Sequence, residues 1–181
     1  SVWRVILTLS ATLLPTSGVV GVDASGFDRS HASKHYTKRA ELTIQQLKVT
    51  LLVDTKVNAI LDLHVTTTRK HDSQIAPSLI KRNTENINIL LGDKGYDDQK
   101  IRRLARQYEA RPLIKHREFT SLHKAWNARL DADLYGQRSQ SETVNSTLKR
   151  KYGAFVSSRQ WWKQFRELTI VCLVHNVDRS L

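Results

Sequence analysis

The order of the short apolar segments constrains the fold of this chain most. The run VVGVDA is followed by Ser-Gly and predicts a buried strand. After a polar loop over 27–45, two runs rich in β-branched residues predict an antiparallel hairpin. In chain order the predicted elements are strands 19–24, 47–53 and 59–67, helix 73–82, strand 87–91, helix 97–109, strand 111–116, and helices within 131–152 and over 158–176. This order predicts an α/β fold with a mixed sheet and helices packed against it.

Positive charge is concentrated in the C-terminal half of the sequence. The chain has 29 Lys and Arg against 17 Asp and Glu, a formal net charge of +12. Residues 1–99 contribute 12 basic and 10 acidic residues, whereas residues 100–181 contribute 17 and 7. Like charges repel unless a partner neutralises them, so this excess favours a polyanion, and we expect a nucleic-acid backbone. The single cysteine excludes an internal disulfide framework and a zinc site built from several cysteines.

Two aspartates stand where predicted strands end. Asp23 closes the first strand, and Asp93 follows a strand in which Ile87, Ile89 and Leu91 share its parity. Functional groups in α/β sheets collect at the carboxyl ends of strands, and carboxylates bind hard divalent ions there. The residues alone leave an alternative open, in which each aspartate only caps a turn or a helix.

A polar stripe surrounds Glu142. Tyr135 and Arg138 precede it by 7 and 4 residues, and Lys149 follows it by 7. At about 100° per residue, the four side chains fall within an arc of about 60° on one helix. A core face would be apolar, whereas this face suits a metal ion at the carboxylate and phosphates at the cations. The alternative is a surface ion pair between Arg138 and Glu142, four residues apart.

Several other conspicuous residues predict structure rather than chemistry. Asp54 and Asp62 belong to the hairpin and are expected to be exposed, and Cys172 is expected to be a buried thiol. The Trp161-Trp162 pair predicts helix packing rather than a platform on which bases stack. The seven histidines show no spacing typical of a zinc site.

These residues together resemble the catalytic domain of insertion-sequence DDE transposases that carry a Tyr-Arg-Glu-Lys signature. That signature is Tyr, two residues, Arg, three residues, Glu, six residues and Lys. The residues that satisfy every interval are Tyr135, Arg138, Glu142 and Lys149. Asp23 in GVDASGFDRSHASKHY and Asp93 in LLGDKGYDD take the places of the two catalytic aspartates of the family. The segments VTTTRKHDSQIAP and RPLIKHREF resemble those of elements from halophilic archaea.

The resemblance implies a ribonuclease H-like fold, in which three antiparallel strands are followed by alternating helices and strands. Such transposases normally carry an N-terminal DNA-binding segment. We therefore expect residues 1–18 to be a remnant of that segment and residues 19–181 to be the catalytic domain. Read from the residues alone, 1–18 weakly resemble a secretion signal or, in the interpretation we favour, the end of a helix and a loop.

The resemblance also implies an activity, which is metal-dependent cleavage at transposon ends and strand transfer into target DNA. The implied catalytic residues and metal ligands are Asp23, Asp93 and Glu142, and the implied DNA-binding residues are Tyr135, Arg138 and Lys149. The expected cofactor is a pair of Mg²⁺ ions, for which Mn²⁺ substitutes. The expected partners are inverted-repeat ends, target DNA and a second copy on DNA, in the cytoplasm of a prokaryote and on its nucleoid, without a membrane.

Two other functions remain open. The first is a truncated, inactive transposase that only binds DNA. The second is a ribonuclease H-like nuclease or resolvase, and the Tyr-Arg-Glu-Lys spacing argues against it because that spacing is tied to transposon-end handling.

Overall fold

The computed structural model describes residues 1–29, 46–67 and 70–181, and these form a five-stranded mixed sheet. Strands β1 (Val19–Asp28), β2 (Gln46–Asp54) and β3 (Ala59–Thr66) are antiparallel neighbours. Strands β4 (Ile89–Gly92) and β5 (Arg111–Ile114) continue the sheet parallel to β1, so the order is β3-β2-β1-β4-β5. The predicted α/β class and the ribonuclease H-like strand arrangement are confirmed.

Helices cover both faces of this sheet. They are α1 (Val2–Ala11), α2 (Asp72–Arg82), α3 (Gln99–Gln107), α4 (Ser121–Ala128), α5 (Ala132–Gly136), α6 (Ser139–Tyr152) and α7 (Trp161–Ser180). Helices α2 and α3 pack on one face, whereas α1, α6 and α7 pack on the other. Within the described residues, none of the helices combines the length and the apolar character that crossing a membrane requires.

The burial of both sheet faces explains why the strands read as nearly continuous apolar runs. On the first face, Val22 of β1 packs with Leu79 of α2 and Ile101 of α3. On the second face, Leu51 of β2 packs with Leu148 of α6. Each such side chain contributes about 1.5–3 kcal/mol when it leaves water.

Strand β1 is longer than the sequence predicts. The prediction ends it at Ala24, but the pairing with β2 continues to Asp28, opposite Gln46. A Cβ on Gly26 would lie 2.9 Å from the side-chain oxygen of Gln46, so this glycine accommodates a close neighbour and does not end the strand. Asp23 therefore lies inside β1 and not at its end. Most of the predicted loop, residues 30–45, falls outside the described residues.

The region 131–152 is helical as predicted, but it forms two helices rather than one. At the junction of α5 and α6, the amide of Arg138 donates to Tyr135 O and the amide of Ser141 donates to Arg138 O, both at 3.0 Å. These are bonds between residues three apart, which wind the chain more tightly than an α-helix. Tyr135 and Glu142 therefore stand on separate helices, although both contact Arg138. Helix α4 was not predicted.

Helix α1 lies alongside α7 in parallel orientation. Leu7 is fully buried, and the side-chain nitrogen of Asn176 donates to Ser10 Oγ at 3.0 Å. Near the other end of the pair, the guanidinium of Arg166 lies 5.6 Å from the ring centroid of Trp3. Residues 2–11 thus add a helix to the layer formed by α6 and α7. That residues 1–18 are a remnant of a DNA-binding segment stays a prediction.

Candidate active site

The register of two parallel strands sets Asp23 beside Asp93. Strands β1 and β4 are neighbours, with Gly21 opposite Leu91. Each aspartate stands two residues beyond this last pair, and the charge of Asp93 acts on the carboxyl of Asp23. Because side chains alternate between faces, both aspartates share the face of Gly21 and Leu91. The structure therefore brings together the two aspartates that the sequence singled out.

Asp93 is held by the turn that follows β4. Its carboxylate caps a short 3₁₀ turn (Lys94–Tyr96) and accepts a hydrogen bond from the amide of Gly95 at 2.8 Å. A Cβ on Gly95 would lie 2.9 Å from the same carboxylate oxygen, so glycine leaves room for this cap. Asp93 therefore caps this turn, which is the alternative that the sequence left open. The cap uses one of its two carboxylate oxygens.

Helix α6 lies directly on β1. The hydroxyl of Ser141 lies 2.0 Å from the point that a Cβ on Gly21 would occupy, so only glycine permits this approach. One turn later, the buried Asn145 donates from Nδ2 to Asp23 Oδ2 at 2.8 Å. Sequence reasoning missed Asn145. The sequence signal that could have identified it is its position three residues after Glu142, because residues three apart lie next to each other on the surface of a helix.

Glu142 stands in the first turn of α6, near enough to Asp23 for its charge to act on that carboxyl. Its side chain is 55% exposed, and its Oε1 accepts a bond from Arg138 Nη1 at 2.6 Å. The guanidinium of Arg138 also lies 5.9 Å from the ring centroid of Tyr135. The surface ion pair that was the alternative interpretation therefore exists. Lys149 lies apart from this group, with Nζ 5.4 Å from the ring centroid of Phe27.

The charges of the three acids act on one another. Burial raises the pKa of Asp23, while the hydrogen bonds from Asn145 and the amide of Ala24 oppose the rise. The neighbouring charges of Glu142 and Asp93 raise the pKa further. A cation placed among these carboxylates would remove that repulsion, which is the electrostatic condition for a divalent metal site.

The donor set fits a hard cation in kind. Asp23 and Asp93 offer carboxylate oxygens, which Mg²⁺ prefers. The buried Oδ1 of Asn145 has no hydrogen-bond partner within the described residues. Those residues contain no ready-made group of three or more His, Cys, Asp or Glu side chains arranged around one ion.

The strand order, together with two neighbouring aspartates and a glutamate-bearing helix packed over β1, defines the class of this protein as a ribonuclease H-like fold. Residues 15–177 match the family described as the Transposase DDE domain, and the chain belongs to that family. No curated protein matches the sequence at a significant level.

Solved structures resemble this fold at low sequence identity. The piggyBac transposase, in a synaptic complex with hairpin DNA, is 10% identical with a TM-score of 0.51, over 90% of this chain and 48% of that one. A simian T-cell lymphotropic virus intasome in complex with the PP2A regulatory subunit B56 gamma is 13% identical with a TM-score of 0.48. That match covers 85% of this chain and 46% of the other. The chain thus spans about half of each of these two chains.

Proposed function

We propose that residues 19–181 form the catalytic domain of an insertion-sequence DDE transposase of the Tyr-Arg-Glu-Lys group, akin to haloarchaeal elements. It cleaves DNA at transposon ends and transfers the freed strand into target DNA. The observation that carries this proposal is the parallel register of β1 and β4. That register sets Asp23 and Asp93 side by side beneath the helix that bears Glu142.

In this function Asp23, Asp93 and Glu142 hold two Mg²⁺ ions. When bound, such ions neutralise phosphate charge and activate water or a 3′-hydroxyl as the attacking group. Asn145 donates to Asp23 and fixes the orientation of its carboxylate. The Gly95 amide does the same for Asp93. These fixed orientations reduce the reorganisation needed when the charged substrate arrives.

Arg138 and Lys149 bind phosphates of the transposon end, and Tyr135 packs beside the same strand. Arg138 is already ordered by Glu142 and by the ring of Tyr135. Its contact with Glu142 is a single bond from Nη1, and a guanidinium that turns to a phosphate can offer two parallel donors instead. The excess of Lys and Arg in residues 100–181 adds affinity for DNA without sequence preference. Because transposition joins two ends, the protein acts as a homodimer on DNA.

The test is Mg²⁺-dependent nicking and strand transfer on a duplex that carries the flanking inverted repeat. Asp93→Asn and Glu142→Gln should abolish cleavage and leave DNA binding nearly unchanged, because each removes a metal ligand and no phosphate contact. Asp133→Asn is the matched control, since this exposed carboxylate lies in α5, outside the site. Its cleavage should equal that of the unaltered protein.

Two results would count against this function. Cleavage that survives Asp93→Asn would contradict the metal assignment. DNA binding by the unaltered protein without any cleavage would identify a remnant that only binds DNA.

A further inference from the structure

The start of α7 carries an aromatic and cationic surface outside the candidate active site. Trp161 stacks on the buried Phe165 one turn later, as the predicted helix packing requires, but Trp161 and Trp162 remain 50% and 53% exposed. Lys163 Nζ lies 5.2 Å from the ring centroid of Trp162. Half-exposed indole rings with cations above them are unusual on a surface that only contacts water.

Arg166 is the centre of this surface. Its guanidinium lies 5.3 Å from the ring centroid of Trp162 in α7 and 5.6 Å from that of Trp3 in α1. Two indole rings from opposite ends of the chain therefore hold one planar cation. No ion pair or hydrogen bond of Arg166 occurs within residues 1–29, 46–67 and 70–181. The carboxylate of the adjacent Glu167 binds the backbone of the loop before α7.

Glu167 does not neutralise Arg166 because its carboxylate binds backbone. Its two oxygens accept from the amides of Ser157 and Ser158 at 2.8 and 3.0 Å. These bonds lower the pKa of Glu167 although burial alone would raise it. The loop is therefore fixed to α7, and the donor edge of Arg166 stays available to an anion.

The charge of the surrounding chain selects the kind of anion. Residues 143–166 contain six Lys and Arg and no Asp or Glu. Lys149 lies in this stretch on α6, and the loop after α6 pairs with the end of β1 through Asp28 and Val156 at 2.8 Å. A helix of 14 residues is about 20 Å long, and Lys149 and Arg150 in its last turn lie between the candidate site and α7 along the chain, while Lys151 pairs with Asp178. Cations spread over such a distance fit an extended polyanion better than a small one.

We propose that Arg166, held between Trp3 and Trp162, binds a backbone phosphate of DNA that extends from the candidate active site along α6. A guanidinium presents a planar set of donors that matches two phosphate oxygens, and the two rings order it before the DNA arrives. The identification of the polyanion as DNA rests on the proposed function. The contact itself is measured by binding and does not require cleavage.

The experiment measures binding of a fluorescently labelled 30-base-pair duplex by anisotropy at several salt concentrations. Arg166→Gln should weaken binding about tenfold and reduce the salt slope by about one, because one phosphate contact is lost. Lys81→Gln is the matched control. It removes one positive charge from an exposed site on α2, against the opposite sheet face and outside residues 100–181, and should change affinity less than twofold.

The role of the two rings is tested at constant charge. Trp3→Ala and Trp162→Ala should each weaken binding several-fold and leave the salt slope near that of the unaltered protein, since Arg166 stays charged but loses its fixed position. Trp3→Phe, which keeps a ring, should restore most of the affinity. It also separates this effect from a loss of folding, which thermal unfolding of each variant records.

Three results would overturn the proposal. The first is an equal effect of Arg166→Gln and Lys81→Gln on affinity and slope. The second is full affinity in folded Trp3→Ala and Trp162→Ala. The third is a change of molecular mass in light scattering for Trp162→Ala without a change in DNA affinity, which would make this surface a contact between copies. Binding that follows the expected pattern without any cleavage would support this contact and count against the catalytic function alone.

Discussion

Gly21→Ala is the substitution that most directly tests how α6 positions the candidate site. An alanine Cβ at this position would lie 2.0 Å from Ser141 Oγ and 3.2 Å from Thr55 Cγ2, whereas ordinary contacts begin at 3.4 Å. Ser141 is fully buried, so its hydroxyl has little space into which to rotate. Helix α6 must therefore move away from β1 by about 1 Å, as overpacked cores generally do. That movement carries Glu142 and Asn145 away from Asp23.

The expected loss is measurable in two independent ways. Overpacking of this kind costs about 1–3 kcal/mol in the free energy of unfolding. For a chain of this size, a loss of about 2 kcal/mol lowers the Tm by about 6 °C. A misplacement of about 1 Å at a catalytic group reduces the rate about 100-fold, so strand transfer should fall far more than folding does. Thermal unfolding and the strand-transfer rate measure these two effects separately.

A rescue variant and a control make this reasoning refutable. Adding Ser141→Ala removes the hydroxyl and leaves the nearest contact of the new methyl group at about 3.2 Å, to Thr55 Cγ2, so most of the Tm and the rate should return. Gly136→Ala is the control, because a Cβ at Gly136 meets nothing within 4 Å. If Gly21→Ala retains the Tm and rate of the unaltered protein, or if Ser141→Ala restores neither, then close packing of α6 on β1 does not position the site.

Three further predictions follow from the described contacts. Asn145→Ala removes the hydrogen bond that lowers the pKa of Asp23, so the pKa rises and the acidic limb of the cleavage–pH profile should move to higher pH; an unmoved limb would exclude this role. Burial raises the pKa of Cys172 to about 12, so a thiol reagent at pH 8 should react only after denaturant unfolds the chain, and fast reaction of the folded protein would contradict this. The folded-state pKa of Glu167 is lowered, so its contribution is present above the ordinary carboxyl pKa and is lost as pH falls. Glu167→Gln should cost about 1 kcal/mol at pH 7 and flatten the acid side of the stability curve in urea unfolding; an unchanged curve would contradict this.

The sequence predicted the sheet because its signals are local. Each strand is a short apolar run with turn residues around it, and the hairpin and the βα alternation then leave few ways to join the strands. Asp93 was predicted after β4 for the same reason, since Gly92 and Gly95 mark the end of the strand. Asp23 was misplaced relative to the end of β1 because Gly26 also indicates a turn. Only the pairing with Gln46 reveals that the strand continues.

The failures concern contacts between distant parts of the chain. Asp54 and Asp62 were expected to be exposed, and both are buried. Asp54 accepts from the amides of Ser17 and Gly18 at 2.6 and 3.0 Å, although these residues lie 37 and 36 positions earlier. Asp62 accepts from Arg82 Nε at 2.8 Å. A carboxylate is buried only where partners compensate the free-energy cost of leaving water. The sequence does not show these distant partners, so it cannot distinguish a buried aspartate of the hairpin from an exposed one.

The two interpretations of the Arg138–Glu142 spacing are compatible in the folded protein. The ion pair is largely exposed on the side of Glu142, and exposed pairs contribute at most about 1 kcal/mol. Breaking this ion pair therefore costs little free energy compared with the gain when a cation neutralises the repulsion between Asp23 and Asp93. The carboxylate and the guanidinium are close enough to order each other and bound weakly enough to exchange partners. A spacing that looks like an ordinary helix ion pair is thus also compatible with the proposed function, in which one side chain turns to a cation and the other to a phosphate.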